Sequence, residues 1–67
     1  MKLRVNGEDF DWAGGGLIDL LRQQGVDPDH KGYAVALNGA VLAREDWPTV
    51  RLAEGDRVEI VGMYKGG

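Results

Sequence analysis

Polar and apolar residues alternate from the first positions of the chain. In Lys2-Leu3-Arg4-Val5 the apolar pair Leu3 and Val5 shares one side, and in Glu8-Asp9-Phe10-Asp11-Trp12 Phe10 and Trp12 do the same. Asn6-Gly7 stands between the two runs. Period-two alternation on both sides of an Asn-Gly pair predicts a β-hairpin closed by a tight turn. The period changes after Ala13-Gly14-Gly15-Gly16: Leu17, Leu20, Leu21 and Gln24 recur at helical spacing, with Gly25 placed as a C-terminal stop. A helix is predicted from Gly16 to Gln24. Val26 to Gly32 reads as a turn-rich loop in which Pro28 bars continuation of the helix. The stretch YAVALNGAVL places Tyr33, Val35 and Leu37 on one face and the small Ala34 and Ala36 on the other, and Asn38-Gly39 breaks it into a second hairpin or tight strand pair. AREDWPTV fits neither period, and Pro48 argues against a strand, so an irregular segment with a helical turn is expected. After a turn at Glu54-Gly55-Asp56 comes a last strand, with Val58 and Ile60 inward and Arg57 and Glu59 outward.

The resulting order is strand, strand, helix, strand, short strand, irregular segment, strand. A single amphipathic helix must lay its leucines across one face of a sheet, because neither element can bury its apolar side alone. This predicts an α+β architecture of the β-grasp, ubiquitin-like type, with a mixed sheet of about four or five strands. The first and last strands are expected side by side in the middle. Residues 1–67 form one domain in this reading, with a flexible C-terminal tail over 62–67.

Composition narrows the chemistry. At 67 residues the chain is near the lower limit for folding without disulfides or metal. It has no cysteine, which removes disulfides, Cys-based zinc sites and thiol nucleophiles together. A net charge of −3 argues against nucleic acid as the main partner and suits a basic protein surface. No stretch approaches the ~20 apolar residues of a membrane span, and MKLRVNGEDF lacks the apolar core of a secretory leader. A cytoplasmic protein is expected, with neither nucleic acid nor membrane as partner, and monomeric when free.

Candidate sites within the body of the domain are weak. The triple glycine opens onto a helix, where anions can bind, but it lacks both GxxxxGK[ST] and GxGxxG and reads as a flexible turn with Gly16 as the helix cap. His30 lies among Asp27, Asp29 and Lys31 without a Ser, Cys or second His beside it, and reads as a solvated loop residue. Glu8, Asp9 and Asp11 read as solvent-facing. Trp47 could anchor an interface, but fits better as a plug under the irregular segment. Neither a catalytic constellation nor a metal or cofactor site emerges, and the protein is not expected to be an enzyme.

The tail is different. Gly is 11 of 67 residues, so two of them at Gly66 and Gly67 have a probability of about 0.03 on composition. Without Cβ atoms these residues can thread a narrow channel and present a carboxylate to a bound nucleotide. Activated as an acyl-adenylate, that carboxylate becomes an electrophile for sulfur or an amine.

VALNGAVLAREDW (Val35 to Trp47), LAEGDRVEIV (Leu52 to Val61) and the terminal Gly66-Gly67, in this order and spacing, resemble the ThiS family of sulfur carriers of thiazole (thiamin) biosynthesis. The triple glycine and the GMYK lead-in to the tail depart from the family pattern. The resemblance implies that an E1-like adenylyltransferase (ThiF type) uses ATP to adenylate Gly67. A sulfur donor then makes the thiocarboxylate, and thiazole synthase (ThiG type) takes the sulfur. Gly66 is then a slender spacer. ATP belongs to the partner's reaction, and no cofactor is held by the carrier. Arg57, Glu59 and Val61 are expected on the open sheet face as partner contacts, with Met63, Tyr64 and Lys65 leading the tail into the partner. The small subunit of molybdopterin synthase, a sulfur donor for tRNA thiolation, a ubiquitin-like tag and a plain β-grasp interaction module remain alternatives.

Overall fold

The computed structural model describes residues 1–62. Strands β1 (Lys2–Val5) and β2 (Glu8–Asp11) precede helix α1 (Leu17–Gln23). Strands β3 (Tyr33–Leu37) and β4 (Ala40–Val41), a 3-10 helix (Arg44–Thr49) and β5 (Arg57–Gly62) follow. The strands form one mixed sheet in the order β2-β1-β5-β3-β4. As expected, the first and last strands are neighbours; they run parallel, with Arg4 beside Arg57 and Val5 beside Val58. All other pairings are antiparallel. The helix is one residue shorter at each end than the periodicity suggested, with Gly16 and Gln24 as its caps.

Both Asn-Gly pairs make the turns that their sequence demands. Asn6 and Gly7 have φ of 53° and 82°, and Asn38 and Gly39 have 51° and 87°, the signature of type I′ turns whose twist matches that of the flanking strands. At the end of α1, Gly25 adopts φ 79°. Its N–H donates to the Arg22 carbonyl at 3.1 Å, and that of Val26 donates to Leu21 at 2.9 Å. This pair of bonds closes the helix as a Schellman motif, and the buried Val26 seals it.

Leu17, Leu20 and Leu21 of α1 join Leu3, Val5, Val35 and Val58 of the sheet in a single core that also holds Trp12, Trp47 and Leu52. Gln24, on the same helical stripe, is exposed, because the Schellman turn ends the buried face at Leu21. Trp47 is 2% exposed and is the plug expected under the irregular segment, which is the 3-10 helix.

The triple glycine has a packing reason. Gly16 forms a bridge with Arg51, the Leu17 N–H donates to the Val50 carbonyl at 3.0 Å, and the Leu52 N–H donates to Gly15 at 3.4 Å. A Cβ on Gly16 would sit 3.3 Å from the Val50 oxygen. The glycines let two backbones approach, and the first helical N–H, which an anion would need, is already taken.

Candidate functional site

β5 is the middle strand of the sheet, and its alternation decides what each face shows. Val58 is fully buried beneath α1 and Ile60 is half-buried against the same core. Arg57, Glu59 and Val61 point to the opposite face, which no helix among the described residues covers, and all are exposed as the sequence indicated. Register assigns their neighbours: Arg4 beside Arg57, Ala36 beside Glu59, and Ala34 beside Val61. Val41 faces Ala36 from β4.

Two regions result. Val61 (54% exposed) and Val41 (78% exposed) flank the small Ala34 and Ala36, forming a shallow apolar trough on the β5-β3-β4 side. Beside it is an open groove of about 410 Å³ lined by Arg4, Gly7, Gly39, Arg57, Val58 and Glu59. Arg4 donates to the Gly7 carbonyl at 3.2 Å and lies 3.6 Å from Asp9, while Lys2 lies 3.7 Å from Asp11. Arg57 has no such pair among the described residues, and register sets it beside Arg4 on the neighbouring strand. Like charges on adjacent strands are unfavourable unless something anionic meets them. An apolar trough bordered by an unpaired arginine is the composition of a protein-docking face.

The Asn side chains of both hairpin turns reach this strand. Asn38 Oδ1 accepts the Arg57 N–H at 2.9 Å, and Asn38 Nδ2 donates to Asp56 Oδ1 at 3.1 Å. Asn6 Oδ1 accepts the Ile60 N–H at 2.8 Å. The Asn-Gly pairs announced the turns, but nothing in the sequence pattern told that their side chains tie down β5. β5 continues through Gly62, which pairs with Tyr33, so the strand claims the first residue of the tail expected over 62–67. Met63, Tyr64, Lys65, Gly66 and Gly67 lie outside the described residues.

On the other side of the sheet, Arg44 lies over the Trp47 ring, 4.2 Å from its centroid. Its guanidinium donates to the carbonyls of Pro28 at 2.6 Å, His30 at 3.0 Å and Tyr33 at 2.9 Å. Five fixed donors in a planar fork suit this multiple capture of backbone. Sequence reading gave Arg44 no such role; the signal available was its spacing of three from Trp47, which stacks the two along one helical turn. His30 is exposed, and its Nδ1 accepts the Gly32 N–H at 2.9 Å, a loop-shaping role. Glu8, Asp9 and Asp11 are exposed as expected. Among the described residues no group of His, Asp and Glu could hold a metal ion, and no helix is long and apolar enough to cross a membrane.

Comparison with known proteins agrees with this architecture. The family model described as "ThiS family" matches residues 3–67. The chain is 36% identical over 63 residues to the sulfur carrier protein ThiS of Thermus thermophilus, covering 94% of this chain and 95% of that protein. It is similar to the crystal structure of a thiamine biosynthesis protein (ThiS) from Geobacter metallireducens, with a TM-score of 0.81, 33% identity and full coverage of both chains. An NMR solution structure of a thiamine biosynthesis protein from the same organism matches with a TM-score of 0.79 and 34% identity, over all of this chain and 88% of that one.

Proposed function

The chain belongs to the ThiS family and is a sulfur carrier of thiamine biosynthesis, and from that premise we propose that the sulfur is borne on the carboxyl group of Gly67. An E1-like adenylyltransferase of the ThiF type converts this carboxylate to an acyl-adenylate with ATP, releasing pyrophosphate. A sulfur donor then displaces AMP to leave a thiocarboxylate. Thiazole synthase of the ThiG type takes the sulfur from there. The carrier contributes no catalytic group; it supplies an unhindered acyl carbon and a surface by which enzymes recognise it. Gly66 provides clearance in the partner's channel, and Met63, Tyr64 and Lys65 guide entry.

The observation that carries the reading is the family match over residues 3–67, which takes in the Gly66-Gly67 tail downstream of β5. It is tested by incubating the protein with its activating enzyme, ATP and a sulfide source. Intact-mass spectrometry is expected to show one oxygen replaced by sulfur. An unchanged mass, with the same enzyme active on another carrier, counts against the proposal.

The docking face is the trough and groove around Arg57, Glu59 and Val61. Val61→Asp places a charge in the apolar trough without touching the core, since Val61 is 54% exposed. It is expected to weaken binding to the activating enzyme by about tenfold or more, as truncating or charging an interface anchor does. Stability is expected to stay within about 0.5 kcal/mol, as for surface substitutions in general. Titration calorimetry and a thermal melt on the same sample measure both. Unchanged affinity removes Val61 from the interface.

A further inference from the structure

We propose that Asn6 is a positioning residue for delivery of the tail, its carboxamide oxygen holding the distal half of β5 in line where β1 has run out. The inference rests on the reading that the segment beyond Gly62 is the part that reacts. β1 supports β5 only at Arg4 beside Arg57 and Val5 beside Val58. On this side the Arg4 N–H donates to the Asp56 carbonyl at 2.9 Å and the Asn6 N–H donates to Val58 at 2.9 Å. The chain then turns away at Asn6-Gly7. The next β5 group facing the vacated position is the Ile60 N–H, and Asn6 Oδ1 accepts it at 2.8 Å. Past that point the pairings of β5 are with β3 alone, at Ala34 beside Val61 and Tyr33 beside Gly62.

The tie at Asn6 differs from that at Asn38. Arg57 is also gripped through its carbonyl, which accepts the Asn38 N–H at 2.7 Å, so the start of β5 has backbone support besides the carboxamide. At Ile60 the side chain stands in for a missing strand. A strand held along both edges has one direction, whereas a strand held along one edge can splay. Splaying lowers the fraction of molecules whose tail meets the partner's channel, and apparent affinity falls by that fraction while chemistry after binding is unaltered.

Asn6 meets two requirements, and substitutions separate them. With φ of 53° the position needs a residue that tolerates the left-handed region, and the tie needs an acceptor. Asn6→Gly keeps the turn and removes the acceptor. Asn6→Asp tolerates the turn and keeps an acceptor oxygen. In Asn6→Gly, amide hydrogen exchange at Ile60 is expected to speed up about five- to tenfold beyond any change shared with Leu21 in α1, the factor set by one net hydrogen bond. With the activating enzyme, at a temperature where both proteins are folded, KM for the carrier is expected to rise by about threefold or more with kcat unchanged. Asn6→Asp is expected to restore both. Unchanged Ile60 exchange or unchanged KM in Asn6→Gly overturns the proposal, as does failure of Asn6→Asp to restore them. A wild-type protein that takes up no sulfur overturns the functional reading and the delivery role with it, and Ile60 exchange then decides the tie by itself.

Discussion

Removal of Gly66 and Gly67 is expected to abolish sulfur loading completely while leaving the thermal melt of the protein where it was. Among the described residues the buried core lies between Leu3 and Val58 and the pairings of β5 run to Gly62, so the deletion leaves both in place. What it takes is reach and clearance. The new terminus at Lys65 carries a carboxylate of the same intrinsic reactivity, but it stops two residues short, about 7 Å at extended-chain dimensions. It also brings a long side chain to where a bare backbone is required. An acyl carbon misplaced by far less than this loses the geometric advantage that an enzyme supplies. Intact-mass spectrometry after incubation with activating enzyme, ATP and sulfide reads the first half of the expectation, and circular dichroism melting reads the second. Sulfur uptake by the shortened chain would sink the assignment to Gly67. Retained pulldown of the activating enzyme by the shortened chain separates docking, proposed for the sheet face, from loading.

Trp47→Ala is expected to leave the chain largely unfolded at 25 °C. Truncating a buried Trp costs about 3–5 kcal/mol. A domain of this size, without disulfide or metal, rarely has more than about 3–5 kcal/mol to lose. Trp47 is 2% exposed, and its ring is the platform on which the Arg44 guanidinium rests. Losing the platform also loosens the three carbonyls, of Pro28, His30 and Tyr33, that Arg44 gathers. Trp47→Phe is the informative partner. The Trp47 Nε1 is buried with no hydrogen-bond acceptor among the described residues, so its removal relieves a penalty of about 1–3 kcal/mol that partly offsets the smaller ring. Trp47→Phe is therefore expected to fold, with less than half the destabilisation of Trp47→Ala. Far-UV circular dichroism with urea titration measures both. A cooperative Trp47→Ala transition within about 1 kcal/mol of wild type contradicts the role of the plug.

The two Asn-Gly pairs, the period-two runs and the leucine spacing made the strand order and the central pairing of β1 with β5 legible before any coordinates. These signals are local, and a small sheet with one helix has few ways to satisfy them. The outward set of Arg57, Glu59 and Val61 was legible for the same reason, since alternation fixes faces once a strand is placed. Less legible were contacts that join segments far apart in the chain. Nothing near Arg44 indicates that it will meet three carbonyls of the loop before and into β3. The glycine run could be recognised as a turn, but its fit against Val50 and Arg51 depends on where the later segment crosses. Asn6 and Asn38 announced turns through backbone preference, whereas their side-chain bonds to β5 depend on a strand about 20 to 50 positions later.

The placement of β5 has a consequence for how the molecule is made. The last strand in chain order is the middle strand in space, between the β1-β2 hairpin and the β3-β4 pair. During synthesis those two hairpins have no common edge until β5 clears the ribosome, and the leucines of α1 have no complete sheet to cover. Folding is therefore delayed until β5 has been made, because its decisive pairing joins the first strand to the last one described. A polypeptide that stops before β5 cannot assemble the open face proposed for docking. On the proposed docking role, recognition of the folded body doubles as a check that synthesis has passed β5.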